Sequence, residues 1–145
     1  PRGRCHAPGT SGRAHAPPEG FTTWNRHTCF AGCMPPANDF IREMLFYFRL
    51  VPSQLHPNAY SSLLGTRVLY REFLHRNPTG EYIRYLFHFR RSNGASSSQW
   101  FLEASPATRF FVGKWPRPSV IKHDWFFVRR PPGFARRWIE GSEYL

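Results

Sequence analysis

Carboxylates are scarce in this 145-residue chain: nine Asp and Glu stand against 20 Lys and Arg, and only Asp39 and Asp124 are aspartates. A two-metal nuclease or integrase site needs about three convergent carboxylates, and two aspartates suited to a helix start and a strand edge do not supply them. The Asp-Thr/Ser-Gly loop of an aspartic protease is missing as well. His123 and Asp124 are neighbours in an extended segment, where adjacent side chains point apart, so they do not make an acid/base pair. No catalytic residue is identified, and the chain is read as non-enzymatic.

Cysteine is nearly absent too. Cys5, Cys29 and Cys33 form an odd set, which excludes an even disulfide framework and leaves reduced thiols as the expectation. His27, Cys29 and Cys33 are soft enough together for zinc, but their spacing matches neither a Cys-x2-Cys-x4-His-x4-Cys knuckle nor a zinc finger. Cys5 and His6 reach them only across a long loop, so no metal and no cofactor is expected. Apolar runs are short, as in Leu45 to Phe48, far below the roughly 20 residues of a membrane span. The first thirty residues carry no signal-peptide core, and the expected setting is intracellular, nuclear or cytoplasmic, with no membrane partner. The chain opens on Pro1 with its first methionine at Met34, and the expectation is a fragment or a conceptual piece of a longer polyprotein.

What is present is aromatic, basic and interrupted by Pro and Gly. The residues up to about 20 include Pro8, Pro17 and Pro18 with Gly3, Gly9, Gly12 and Gly20 and show no periodicity. They read as a disordered arm, followed by one domain over 21–140 and a tail at 141–145. In NDFIREMLFYFRLV, Phe40, Ile41, Met44, Leu45 and Phe48 fall on one helical face, with Asn38 as cap, Asp39 at the positive dipole end and Pro52 as the stop. A second helix is predicted to open at Pro57, with His56 in a capping slot normally held by Ser, Thr, Asp or Asn. Its apolar stripe is Tyr60, Leu63, Leu64, Val68, Phe73 and Leu74, and it runs to Arg76 before Asn77-Pro78. Thr79 caps a third helix that buries Tyr82, Ile83, Leu86 and Phe87 and places Arg90 and Arg91 at its negative end.

After the polar loop SNGASSS the period becomes extended, in QWFLEA, RFFVGKW and DWFFVR. These three runs are predicted to form a meander, with Phe134 and Trp138 of the tail shielding part of its second face. The expected fold is therefore α+β: about three helices followed by a small three-stranded antiparallel sheet, behind a disordered N-terminal arm.

Several segments carry a resemblance, in order along about residues 28 to 140. They are FAGCMPP at Phe30, the helix FIREMLFYFRLVPSQLHPNAY with its Pro-Asn-Ala element at Pro57 to Ala59, YLFHFRR, WFFV at Trp125, and Phe134-x-x-x-Trp138. Together they resemble a plant family of gypsy-type transposon proteins, found attached to retroelements and in genes derived from them. Pro-Asn-Ala is the most specific part. His56 stands where that family typically has Thr or Ser, and Ile121 where tryptophan is common. The resemblance implies a mobile-element origin and a Gag-like or accessory structural role, and it transfers no catalytic residue.

Charge is the strongest physical signal: the net is +11, and Arg supplies 18 of the 20 positive residues. Arg binds phosphate bidentately and stacks on bases, which makes RNA or DNA a candidate partner. The charge is spread, at +3 for residues 1–36, +4 for 37–91, +4 for 92–130 and zero for 131–145, so no concentrated footprint is visible. Arg90 and Arg91 beside the Ser/Gly loop, and Arg129 and Arg130 beside Pro-Pro, are the candidate phosphate contacts. Aromatics beside them stack bases only if one face of the sheet is open; core packing is the competing use. Two functions follow as expectations: a structural or interaction module that engages an unknown protein or itself, and a weak, nonspecific nucleic-acid-binding domain.

Overall fold

A computed structural model of the chain describes residues 5–6, 17–91, 99–106 and 125–129. The fold is α+β. Its elements run β1 (Cys5–His6), β2 (Phe21–Asn25), α1 (Arg26–Phe30), α2 (Asp39–Tyr47), a 3₁₀ turn (Pro52–Gln54), α3 (Pro57–Leu74), α4 (Gly80–Leu86), β3 (Phe87–Arg91), β4 (Trp100–Ala104) and β5 (Trp125–Arg129).

Helix starts follow the expected chemistry. The Asn38 side chain accepts a hydrogen bond from Ile41 N at 3.0 Å, and Asp39 forms an ion pair with Arg42 one turn on. Thr79 caps α4 by accepting from Tyr82 N at 3.4 Å. Pro57 opens α3 as expected, and His56 does cap it: its Nδ1 accepts from Asn58 N at 3.1 Å.

The helix ends differ from expectation. α2 stops at Tyr47, five residues short of Pro52, in a Schellman turn where Leu50 N donates to Leu45 O at 2.9 Å and Arg49 N to Phe46 O at 3.2 Å. Arg49 takes the left-handed conformation this turn requires, with φ of 55°. α1 closes on the same motif, with Gly32 at φ of 91° in the equivalent position. Leu45 and Leu50 are both buried, so apolar contact across the turn ends α2 before proline is reached.

The core joins α2 (Phe40, Ile41, Met44, Leu45), the first half of α3 (Ala59, Tyr60, Leu63) and α4 (Ile83, Leu86) with Trp24 of β2. Tyr60 is wholly buried, and its hydroxyl donates to Pro52 O at 2.9 Å, which removes the cost of an unpaired phenol inside. Gly80 sits against the ring of Tyr47: a Cβ built there would lie 2.4 Å from Tyr47 Cγ, so α4 approaches α2 only because this residue has no side chain.

Two sheets replace the expected single meander. One has the order β1-β5-β2 and the other pairs β3 with β4, all antiparallel. The third helix is shorter than expected, because Phe87 is already extended (φ −134°, ψ 143°) and YLFHFRR splits into helix and strand. Along β3, Phe87 and Phe89 turn toward the core and His88 and Arg90 outward, the period-2 pattern that matches Ala104 and Leu102 opposite them. QWFLEA thus pairs backwards with β3, while WFFVR joins the N-terminal strand FTTWN, which has no counterpart in the expected sheet. RFFVGKW, Phe134 and Trp138 lie outside the described residues. Cys5–His6, inside the segment read as a disordered arm, pairs with Val128 and Phe127 of β5.

Candidate functional site

The three candidate arginines among the described residues are divided between the two sheets. Arg90 and Arg91 are on β3, not at a helix C-terminus, and Arg129 closes β5 in the other sheet; Arg130 lies outside the described residues. Arg90 Nη1 donates to Glu103 Oε2 at 2.9 Å, and the Arg129 guanidinium lies 5.7 Å from the centre of the Phe21 ring opposite it. Arg90, Arg91, Phe101, Leu102 and Glu103 line an open depression of about 640 Å³, so a carboxylate shares the groove with the two arginines. On β5, Phe127 is buried, Trp125 and Phe126 are half-buried, and the Trp125 ring packs edge-on against Phe127 at 5.1 Å. For this strand, packing accounts for the aromatics.

His27, Cys29 and Cys33 have a structural account. Cys29 and Cys33 stand at the second-last residue of α1 and at the closing position of its Schellman turn, where Cys33 N donates to Thr28 O at 3.1 Å. Burial, with the neighbouring Cys29, pushes the Cys33 thiol up to about 12, which keeps it protonated and unreactive. Among the described residues no group of three or more His, Cys, Asp or Glu is placed to hold a metal ion. Asp39 serves its helix start, and His123 and Asp124 lie outside the described residues. Thr28 Oγ1 is buried without a hydrogen-bond partner, and nothing in the structure explains it.

His56 is the polar residue that sequence reasoning undervalued. It is 5% exposed, its ring stacks on Phe101 at 4.2 Å, and its backbone N donates to Trp100 O at 2.9 Å. It therefore clamps the start of α3 to β4, beside the Leu55–Trp100 bridge. Burial, with a further contribution from His27, lowers its pKa from 6.5 to about 4. A neutral ring is what the cap requires, since Nδ1 must keep its lone pair to accept from Asn58.

The most unusual surface is apolar. Residues Ala59, Ser62, Leu63 and Thr66 define the buried face of α3, and the helical period carries that face on to Leu69, Tyr70, Phe73 and Leu74. Tyr70 still reaches the edge of the core and lies 5.8 Å from the Tyr82 ring. Past it the helix overhangs: 71–77 are all exposed, Phe73 at 74%. Val68, 65% exposed, lies on the opposite side of the helix. On α4, Tyr82 and Tyr85 share the face turned away from the core, the latter 71% exposed. The α3 residues Val68, Phe73 and Leu74 and the α4 residue Tyr82, all expected to be buried, are thus exposed, because among the described residues the core reaches α3 only as far as Tyr70.

Compared with family models, curated proteins and solved structures, the chain finds no match. Among the described residues no helix is long and apolar enough to cross a membrane.

Proposed function

We propose that this chain is a non-enzymatic interaction module of gypsy-type retroelement descent, acting inside the cell in the nucleus or cytoplasm, and that it engages another protein through the distal half of α3 with the outer face of α4. One observation carries the reading: the core stripe of α3 continues through Phe73 and Leu74, which stand exposed past the last of the described residues that cover it. An isolated apolar side chain on a surface is ordinary, whereas a helical stripe continuous with the core and left open is the form a helix-groove contact takes. The descent rests on the Pro-Asn-Ala element and the aromatic segments that flank it.

The competing reading, weak sequence-independent nucleic-acid binding, rests on the +11 net charge. Fluorescence anisotropy of a labelled single-stranded RNA across a salt series separates the two. The interaction reading expects no measurable association near about 150 mM salt. Binding that persists there, with log affinity falling by about 0.7 per neutralised phosphate for each decade of salt, would instead establish the nucleic-acid reading.

A further inference from the structure

Building on that interaction reading, we infer that the overhang of α3 receives an amphipathic helix with acidic flanks from a different protein. The apolar contact set, Leu69, Phe73 and Leu74 on α3 with Tyr82 and Tyr85 on α4, offers rows at helical spacing, the arrangement that accepts anchors at i, i+3/i+4 and i+7 from an incoming helix. Its border is basic. Arg67 and Arg71 stand one turn apart along the Leu74 side of the stripe, Arg76 lies over the Tyr82 ring at 5.8 Å, and Arg84 is exposed on α4. Against these four the same stretch has only Glu72 and Glu81.

That charge selects the occupant. A second copy of this chain would bring a basic border against a basic border, between molecules each carrying +11, and like charges across an interface cost affinity. Nucleic acid would satisfy the arginines but leave Leu69, Phe73 and Leu74 in contact with no apolar partner. An acidic amphipathic helix satisfies both, covering the stripe with its apolar face and meeting Arg67 and Arg71 with Glu or Asp on its flank.

The probe is a pair of synthetic helical peptides of about 20 residues, long enough to hold a helix. Both carry Leu anchors at i, i+4 and i+7; one has Glu and the other Lys on the flanks. Calorimetric titration into the full chain is expected to show the Glu peptide binding at least about tenfold more tightly. The double variant Phe73→Ser/Leu74→Ser should lose that binding, Val68→Ser should keep it, and Arg67→Gln/Arg71→Gln should abolish the preference for Glu over Lys. Because Phe73, Leu74 and Val68 are exposed, the serine variants are expected to keep the wild-type melting curve, whereas Arg67→Gln/Arg71→Gln also removes the 3.2 Å hydrogen bond from Arg67 Nε to Asn77 Oδ1 and is compared at a temperature where its own melting curve shows it folded. Equal or tighter binding of the Lys peptide, still lost in the Phe73/Leu74 variant, overturns the acidic partner while the interaction surface stands. Binding of neither peptide, or binding indifferent to Phe73 and Leu74, overturns the surface as well.

Discussion

Acidification should loosen this protein at one identifiable place, the His56 cap. The buried imidazole accepts from Asn58 N through Nδ1 and stacks on Phe101, and protonation removes the acceptor and puts a cation at the positive end of α3, near His27. Its folded pKa of about 4 lies below the unfolded value of 6.5, so between those limits the unfolded chain binds more protons than the native one. Stability therefore falls as pH drops through 6.5 and levels off below about 4. A shift of this size corresponds to a loss of up to about 3 kcal/mol at 1.36 kcal/mol per pH unit. His56→Asn supplies a capping acceptor that does not titrate, at the expense of the ring contact with Phe101. Urea unfolding of both proteins at about pH 7.5 and pH 4.5 isolates the effect, since carboxylate protonation is common to both. The variant should be less stable at the higher pH, and the gap should close by about 2 kcal/mol at the lower one. A gap that stays constant across that range would refute the neutral-cap argument.

Three further outcomes follow from backbone and packing. Arg49→Gly should stabilise the fold by about 1 kcal/mol, because the Schellman turn ending α2 already demands a left-handed residue, and Gly32→Ala at the matching position after α1 should cost about as much; thermal melts read both. Gly80→Ala forces the Tyr47 ring aside and should lower stability by about 1–3 kcal/mol in chemical denaturation. Leu86→Ala removes a buried side chain where α4 meets the core and should cost about 2–5 kcal/mol, with an unshifted midpoint showing that the face is wrongly assigned.

Local signals were legible where side chain and backbone interact over one turn. Asn38 and Thr79 mark helix starts through bonds made within three residues, Pro57 marks one through its fixed φ and missing N–H, and the apolar phase of α2 follows from its period. Signals that depend on a distant partner were not. In Leu86-Phe87-His88-Phe89 the spacing suits a helix and a strand equally, and only the presence of β4 as a partner decides for the strand. FTTWN is too short to register as a strand until β5 arrives from a hundred residues further on. Likewise the stripe of α3 shows which face is apolar, but where its cover stops depends on the size of the body beneath, and so Phe73 and Leu74 read as core. Arg90 illustrates the same limit for charge, because Glu103 becomes its partner only through the β3–β4 register.

Chemical-shift mapping tests the central claim most directly. With the ¹⁵N-labelled chain titrated by the Glu-flanked peptide near physiological salt, perturbed amides should cluster at residues 68–76 and 82–85, leaving β3 and β5 unmoved. Shifts concentrated instead around Arg90, Arg91 and Arg129, with the α3 overhang silent, would contradict the account.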